Sequence, residues 1–307
     1  MKSVMMRQRI KPFMLPIAMI IGVVFYRYMH YVEWTAPYLI FIMLFVAFCK
    51  IRPSEFKITR LSVLLIMIQI VGAAGIYLAF RSLSETLAIG CAICVFCPTA
   101  TAAPVITGML GGSVSRLVTY SIVSNVTVAV LAPVFFTLCG DGESVDFMHT
   151  MLKILSRVVP LIVLPLVCAF GLLYLAPEAH KVVASHQSLS FYIWAISLCI
   201  VVGRAVSYIM LNHQDVMLMV ELAAGALVAC CLQFYVGRVI GRRCGDKIAG
   251  AQGLGQKNTV LAIWMVFAFF SGHQIASVAP AAYIAWQNII NSAQLYYKTR
   301  RDGRTEA

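Results

Sequence analysis

The sequence predicts an all-α integral membrane protein whose ten transmembrane helices form a 5+5 inverted repeat with two broken, crossing helices, spans 4 and 9. Three observations lead to this prediction. The chain of 307 residues is 61% hydrophobic and 12% charged, with a mean hydropathy of +0.87. A soluble domain of this length needs far more charge to cover its surface. The apolar runs are long enough to cross a bilayer, and two of them are interrupted by helix-breaking residues.

Ten apolar runs have the length of roughly 20 residues that a transmembrane helix requires. The connections between them are short, so residues 1–307 are expected to form one transmembrane unit. The predicted spans are 12–30, 33–50, 59–80, 86–111, 113–139, 150–175, 188–211, 215–239, 247–271 and 274–297.

The distribution of Lys and Arg predicts the orientation of these spans. With ten spans, both termini and the connections near 50–60 and 238–247 share one side, and all four segments are rich in basic residues. Basic residues accumulate on the cytoplasmic side of membrane proteins. We therefore expect a multi-pass protein of the cytoplasmic (inner) membrane with both termini in the cytoplasm. The net charge of +12 follows from this topology, so nucleic acid is not an expected partner.

A short pattern recurs in the two halves of the chain. A Leu-Pro pair followed six residues later by glycine begins at Leu15 in span 1 and again at Leu164 in span 6. Five spans separate the two copies, so they would cross the membrane in opposite directions, as in transporters built from inverted repeats. We predict a first repeat over 12–139 and a second over 150–297.

Span 4 contains the stretch VFCPTATAAPVITGMLGG, in which two prolines weaken the helix. Pro98 and Pro104 lack the backbone donor and clash with the preceding turn. The carbonyl groups left unpaired at membrane depth need a partner from protein, water or an ion. The repeat predicts a matching break in span 9, where Gly253 and Gly255 precede the polar residues QKNT. Paired breaks in corresponding halves indicate the binding site of a transporter.

The charges around the two breaks predict the kind of substrate. Half-helices that begin near Thr101 and Asn258 would direct their N-terminal N–H groups at one central point. Lys257 lies in the second break, with no carboxylate at its depth. An unpaired lysine at the membrane centre costs roughly 2.5–3.5 kcal/mol and usually has a function. Because this centre is positive, we expect an anion.

A second pair of membrane charges is expected to be structural. Arg204 in span 7 and Glu221 in span 8 lie at similar depths, near the same end of their spans. Charged residues inside a membrane pair with one another. We therefore predict an ion pair between these two side chains.

These features resemble the bile acid:sodium symporter family over nearly the whole chain. The resemblance rests on short motifs in spans 3, 4, 9 and 10, which are Gln69; Cys97-Pro98, Thr101, Thr107 and Gly112; Gly255, Asn258, Leu261 and Ala262; and Trp286, Asn288 and Ile289. It implies ten spans divided into interleaved panel and core sub-domains, alternating access, and an organic anion such as a bile acid, a steroid sulfate or a small carboxylate. The predicted substrate-binding residues are Thr101, Asn258, Lys257, Asn288, Gln287 and Thr99.

The chain departs from the family pattern where sodium would bind. The ion-site positions that the resemblance implies are Gln69, Thr107, Ser121, Gly253 and Lys257. Gly253 and Lys257 stand where the family has a glutamate and a glutamine, Ala103-Pro104 stands where it has Ser-Asn, and Gln287 stands where it has a histidine. An ammonium ~4 Å from sodium would repel it by about 4 kcal/mol at an effective dielectric constant of about 20. We hypothesise that Lys257 replaces sodium, so that transport is coupled to protons or is uncoupled.

Other functions fit the sequence less well. A metalloid extruder of related fold, of the arsenite type, is the alternative, since Cys97 supplies a thiol, but the acidic partner is missing. An enzyme is not expected, because no nucleophile–base arrangement or phosphate loop is convincing. Cys91, Cys94 and Cys97 are spaced like iron–sulfur ligands, but in a helix of membrane-spanning length we expect them to pack as small apolar side chains. No cofactor or metal is expected apart from sodium, which Lys257 is hypothesised to replace, and the expected partners are a small organic anion and the lipid bilayer.

Overall fold

The computed structural model describes residues 2–49, 54, 57–100, 102–139, 147–186, 188–211 and 215–305. Within these residues the fold is all-helical, as predicted, and the one β-type contact is an isolated antiparallel bridge. The substrate-binding prediction at Thr101 lies outside the described residues.

Fourteen α-helices follow one another through the described part of the chain. They are α1 (Lys2–Val24), α2 (Met29–Val32), α3 (Ala36–Phe48), α4 (Arg60–Phe80), α5 (Glu85–Phe96), α6 (Ala103–Leu110), α7 (Val114–Cys139), α8 (Phe147–Leu175), α9 (Pro177–Ser185), α10 (Ser188–Leu211), α11 (Val216–Arg243), α12 (Lys247–Gly255), α13 (Thr259–Phe269) and α14 (Val278–Thr305). Short 3₁₀ turns at Tyr26–Tyr28, Glu33–Thr35 and Ser271–Ser277 link some of them.

The helices identify a multi-pass membrane protein. Helices α4, α7 and α11 are each long and apolar enough to cross a membrane by length and composition. Two bent pairs of helical segments, within 13–35 and 177–204, raise the number of such spans to five if each pair counts as one. Each predicted span coincides with one of the helices above or with a pair of them, and the number of ten remains a prediction.

Several helices begin at a residue whose side chain caps the first turn. Thr59, Ser84, Asp215 and Asp246 each accept a hydrogen bond from a backbone N–H in the first turn of α4, α5, α11 and α12 respectively. Such caps satisfy backbone donors that have no partner within the helix. The starts of both helices that lead into the predicted breaks, α5 and α12, are therefore fixed by local sequence.

The helices pack as two sets. The first set consists of α1, α3, α8, α9 and α10, and the second consists of α4–α7 and α11–α14. The sets meet mainly where α1 packs on α14 and α7 packs on α8, with further contacts from α10 and α3 to α14 and α6. Along the chain the helices belong to the first, second, first and second set in turn, so each set receives helices from both halves of the chain.

Glycines allow α11 and α12 to lie unusually close together. A methyl group on Gly237 would overlap the backbone of Gly250, and one on Gly241 would overlap the backbone of Asp246. The turn between the two helices is made by Gly245, whose φ of +81° lies in the left-handed region that favours glycine. This close packing fixes the position of α12, and with it the second break.

Candidate functional site

Both predicted helix breaks are present and lie near their expected positions. Helix α5 ends at Phe96 and α6 begins at Ala103, while α12 ends at Gly255 and α13 begins at Thr259. Pro98 lies in the first break, where its missing N–H and its ring prevent α5 from continuing.

Three residues predicted to break the helices have other roles. Pro104 is in the first turn of α6, where proline favours the start of a helix and a missing donor is harmless. Gly253 and Gly255 lie inside α12, whose break comes after them. Both are needed for packing, since a Cβ would come within 2.9 Å of the Tyr120 ring at Gly253 and within 2.5 Å of the Phe234 ring at Gly255.

The two breaks are hydrogen-bonded to each other. The N–H of Ala100 donates to the carbonyl oxygen of Gln256 at 3.0 Å, and the N–H of Asn258 donates to that of Pro98 at 2.8 Å. These bonds form the antiparallel bridge between Thr99 and Lys257. The breaks thus satisfy part of each other's backbone, as burial inside a membrane protein requires.

The side chain of Lys257 closes the end of α5. It is 1% exposed, and its Nζ donates to the carbonyl oxygens of Val95 at 2.8 Å and Cys97 at 3.0 Å. The C-terminal end of a helix carries a partial negative charge that favours a cation. None of the ion pairs among the described residues includes Lys257. Its ammonium therefore lies against helix-end carbonyls rather than against an acid.

Gln69 completes the closure of α5. Its Nε2 donates to the carbonyl oxygens of Phe96 at 2.6 Å and Cys97 at 3.1 Å. Its Oε1 accepts hydrogen bonds from the Tyr120 hydroxyl at 2.8 Å and from Ser124 Oγ at 3.0 Å. The carbonyl oxygens of Val95, Phe96 and Cys97 thus all accept hydrogen bonds from the side chains of Lys257 or Gln69.

A second glutamine–tyrosine pair serves the end of α12, where the tyrosine rather than the glutamine donates to the helix-end carbonyl, and the sequence analysis did not identify it. Gln233 donates from Nε2 to the Tyr283 hydroxyl at 2.9 Å, and that hydroxyl donates to the carbonyl oxygen of Gly255 at 2.8 Å. The partners are 50 residues apart, and Gln69 and Tyr120 are 51 residues apart. The sequence signal for these pairs is a glutamine in each of spans 3 and 8, together with a tyrosine in each of spans 5 and 10.

Gln287 holds the backbone of Lys257. Its Oε1 accepts from the Lys257 N–H at 2.9 Å, and its Nε2 donates to the Lys257 carbonyl oxygen at 3.4 Å. The side chain of Asn258 caps α13 by accepting from the Leu261 N–H at 3.2 Å. Thr99 is fully buried and donates to the carbonyl oxygen of Gly253 at 2.9 Å.

A cavity of about 390 Å³ lies at the crossing of the breaks, between the two sets of helices. A volume of this size is typical of small-molecule sites. Of the predicted substrate-binding residues, four line it, Lys257, Asn258, Gln287 and Asn288, and Thr99 does not. Apolar side chains form much of the remaining wall, among them Ile40, Met43, Trp194, Leu198, Val201, Leu261 and Ile284.

Two amide groups in the cavity wall have polar atoms without a partner among the described residues. These atoms are Nε2 of Gln256, a donor, and Oδ1 of Asn288, an acceptor. Both side chains are buried, at 1% and 3% exposure. Buried polar groups are normally hydrogen-bonded, so these two side chains have hydrogen-bonding capacity that the described residues leave unused.

The role of the predicted ion-site residues stays a prediction, and their hydrogen bonds are as follows. In the described structure no hydrogen bond links the side chains of Gln69, Thr107 and Ser121. Ser121 Oγ accepts from Asn125 Nδ2 at 3.5 Å, and the buried Thr107 Oγ1 has no hydrogen-bond partner within the described part of the chain. Gly253 offers only its carbonyl oxygen, which accepts from Thr99.

The predicted ion pair between Arg204 and Glu221 is wrong. Arg204 Nε donates to Glu33 Oε2 at 2.9 Å. Glu33 lies in the 3₁₀ turn before α3, which packs against α10. The prediction passed over Glu33 because it is the first residue of predicted span 2, and in the structure it belongs to the turn before α3.

Comparison with known families gives one result that agrees with the fold and the crossing helices. A profile of the SBF-like CPA transporter family, which is of the bile acid:sodium symporter type, matches residues 49–291. Comparison with individual curated proteins gave no match. The matched region includes both breaks and the cavity-lining part of α14. The predicted resemblance is confirmed, and the chain belongs to the SBF-like CPA transporter family, which indicates a secondary transporter rather than an enzyme.

Proposed function

We propose that this protein carries a small organic anion across the membrane by alternating access. The observation that carries the proposal is the cavity of about 390 Å³ at the point where the two helix breaks cross. In the proposed cycle, the first set of helices acts as the panel and the second set as the core, and the cavity between them opens to each side in turn. The involvement of α3, α10 and α14 in its wall supports this division.

The charge around the cavity supports an anion. Ala102 and Asn258 are the N-cap residues of α6 and α13, and both line the cavity. The N-terminal end of a helix carries a partial positive charge that favours anions. The ammonium of Lys257 lies behind the same wall, where it donates to neutral carbonyl groups and forms no ion pair with an acid among the described residues.

The wall composition supports an amphiphilic substrate. The polar groups of Gln256, Asn258, Gln287 and Asn288 line one part of the cavity, and the remaining wall is largely apolar. Such a site suits a molecule with an apolar body and one anionic group, because a few polar contacts then orient a largely buried ligand. Bile acids, steroid sulfates and smaller apolar carboxylates are the proposed class.

We propose further that the crossover works without bound sodium. The carbonyl oxygens of Val95, Phe96 and Cys97 already accept hydrogen bonds from Lys257 or Gln69. These are the groups that would need a cation if the helix end were otherwise unpaired at membrane depth. The ammonium is then a permanent replacement for an exchangeable ion, and transport is coupled to protons or is uncoupled.

The pattern of hydrogen bonds also supports a ten-span inverted repeat over 12–139 and 150–297. The pair Gln69–Tyr120 serves the end of α5, and the pair Gln233–Tyr283 serves the end of α12. Each pair joins the third and fifth spans of its proposed repeat. Equivalent pairs at equivalent spacing are expected if both halves share one ancestral plan.

Uptake into proteoliposomes tests the proposal, with radiolabelled cholate as the probe. We expect wild-type protein to accumulate cholate above protein-free vesicles at equal rates in sodium, potassium or choline buffer. A pH gradient applied in either direction then distinguishes proton coupling from uncoupled transport. If uptake requires sodium, the proposed replacement of sodium by Lys257 is refuted. If the protein takes up neither cholate nor smaller apolar carboxylates, the proposed class of substrate is refuted.

A further inference from the structure

The wall of the cavity contains one charged side chain that the proposed function does not explain. Among the described residues that line the cavity, Glu33 is the only acidic one. Its side chain is 51% exposed, so the cavity reaches the surface at this point. A carboxylate at the entrance of a cavity for anions would repel them unless its charge is neutralised.

Arg204 is placed to neutralise Glu33. Its Nε donates to Glu33 Oε2 at 2.9 Å, and its own side chain is 43% exposed. Arg204 itself is not among the residues that line the cavity. The arginine therefore acts on the entrance through Glu33 rather than by touching a molecule inside.

Helical spacing explains why both residues lie at the same end of the cavity. On α10 the wall residues Trp194, Ser197, Leu198 and Val201 share one helical face, and Arg204 continues that face by one turn. On α3 the wall residues Ala36, Ile40 and Met43 share a face, and Glu33 precedes them in the adjoining turn. The pair thus forms the rim where the two wall faces end.

Packing of the segment before Glu33 against α10 holds the rim in place. A methyl group on Gly203, next to Arg204, would overlap Met29 and approach the Gly22 carbonyl oxygen to 2.9 Å. The segment that carries Glu33 is therefore fixed against α10 independently of the ion pair. An exposed ion pair contributes little to stability, so we look for the role of Arg204 and Glu33 in their effect on charge at the entrance.

We propose that Arg204 and Glu33 form a charge filter at the mouth of the cavity, in which Arg204 makes the entrance passable for anions by neutralising Glu33. This inference rests on the proposed function in taking the carried molecule to be an anion. The filter predicts opposite effects from its two members. Loss of the arginine exposes a negative charge at the entrance, whereas loss of the glutamate exposes a positive one.

Collisional quenching of Trp194 tests the filter without knowledge of the substrate. Trp194 lines the cavity, and its signal is isolated as the difference between each protein and its W194F counterpart in zwitterionic nanodiscs. The probes are iodide, an anion, and acrylamide, which is neutral. At low ionic strength we expect R204Q to lower the iodide quenching constant about threefold or more, and E33Q to raise it. The constant for acrylamide should stay unchanged in both variants.

Two further variants make the outcome decisive. The double variant E33Q/R204Q removes both charges and should return iodide quenching to the wild-type value. The control K181Q breaks the exposed pair of Lys181 with Glu178, which does not line the cavity, and should have no effect. The difference between R204Q and wild type should shrink in ~1 M salt, where the screening length is about 3 Å.

The same variants connect the filter to transport. In the cholate uptake assay, R204Q should lower the initial rate and E33Q/R204Q should restore it. Equal effects of E33Q and R204Q in the same direction, or no change in iodide quenching, would overturn the filter even if cholate is transported. Iodide quenching that follows the predicted pattern in a protein that transports no anion would overturn the proposed function instead.

Discussion

The ammonium of Lys257 lies 2.8 Å from the carbonyl oxygen of Val95, a residue 162 positions earlier in the chain. This contact joins the two halves of the protein at the centre of its crossing helices. It also joins a unit positive charge to the negative end of a helix, a favourable arrangement. The lysine is therefore both part of the backbone framework and the main source of positive charge near the cavity.

Replacing Lys257 with Ala is expected to destabilise the protein and to create a cation site. The variant leaves the Val95 carbonyl oxygen without a donor, and a buried unsatisfied group costs about 1–3 kcal/mol. The melting temperature in detergent should fall in potassium-free and sodium-free buffer. If the ammonium replaces a cation, added sodium should raise the melting temperature of this variant and leave that of the wild type unchanged.

The control for this experiment is the exposed Lys247 at the start of α12, whose replacement by Ala removes a lysine without touching the crossover. It should change neither the melting temperature nor the response to sodium. A K257A variant that is as stable as wild type, or that ignores sodium at all concentrations, would contradict the role assigned to the ammonium.

The hydrogen bond between Gln69 and Tyr120 should be measurable as a coupling energy. The Q69L variant removes the donor to the Phe96 carbonyl oxygen and leaves the buried Tyr120 hydroxyl without its acceptor. Groups in one hydrogen-bond network couple by about 0.5–3 kcal/mol. A double-mutant cycle of Q69L and Y120F, measured by thermal or denaturant unfolding, should give a coupling free energy in this range. If the two substitutions lower the free energy of unfolding additively, the two side chains do not form a coupled network.

The helix breaks were predictable from the sequence because their causes are local. Pro98 stops a helix whatever surrounds it, and a polar run with a lysine cannot stay unpaired inside a bilayer. The direction of the Lys257 side chain was not predictable in this way. Its long stem reaches carbonyl groups that only the folded chain brings near, so its contact with Val95 could not be read from spacing.

Two other features depended on tertiary structure. The partner of Arg204 could not be found by matching depths within spans, because Glu33 lies in a turn between helices. The helix-breaking role assigned to Gly253 followed from glycine's low helix propensity. The folded protein uses it instead to admit the ring of Tyr120, a contact that the sequence does not reveal.

The close contact between Gly253 and Tyr120 predicts that G253A destabilises the protein. The added Cβ would lie 2.9 Å from the ring, and forcing extra volume into a packed core costs typically about 1–3 kcal/mol. The matched control is G75A on α4, where nothing lies within 4 Å of the new Cβ. Because alanine has the higher helix propensity, the control should be neutral or slightly stabilising in the same unfolding assay.

Asn288 offers a direct test of whether the cavity binds the transported anion. Its Nδ2 donates to the Ile284 carbonyl oxygen at 2.7 Å, while its buried Oδ1 has no partner among the described residues and the side chain lines the cavity. Asn125 makes the same hydrogen bond within its helix, since its Nδ2 donates to the Ser121 carbonyl oxygen at 2.7 Å. Its Oδ1 also has no partner among the described residues, but Asn125 does not line the cavity.

The two asparagines therefore separate a binding role from a structural one. N288A and N125A lose the same bond within a helix, and each should lower stability by about 0.5–1.5 kcal/mol. Only N288A removes a polar group from the cavity wall, so only N288A should weaken the binding of cholate. We expect its dissociation constant to rise about tenfold, which corresponds to about 1.4 kcal/mol. Equilibrium dialysis with the protein in nanodiscs measures this constant. Equal losses of affinity in both variants would mean that Asn288 acts through stability and that the anion binds elsewhere.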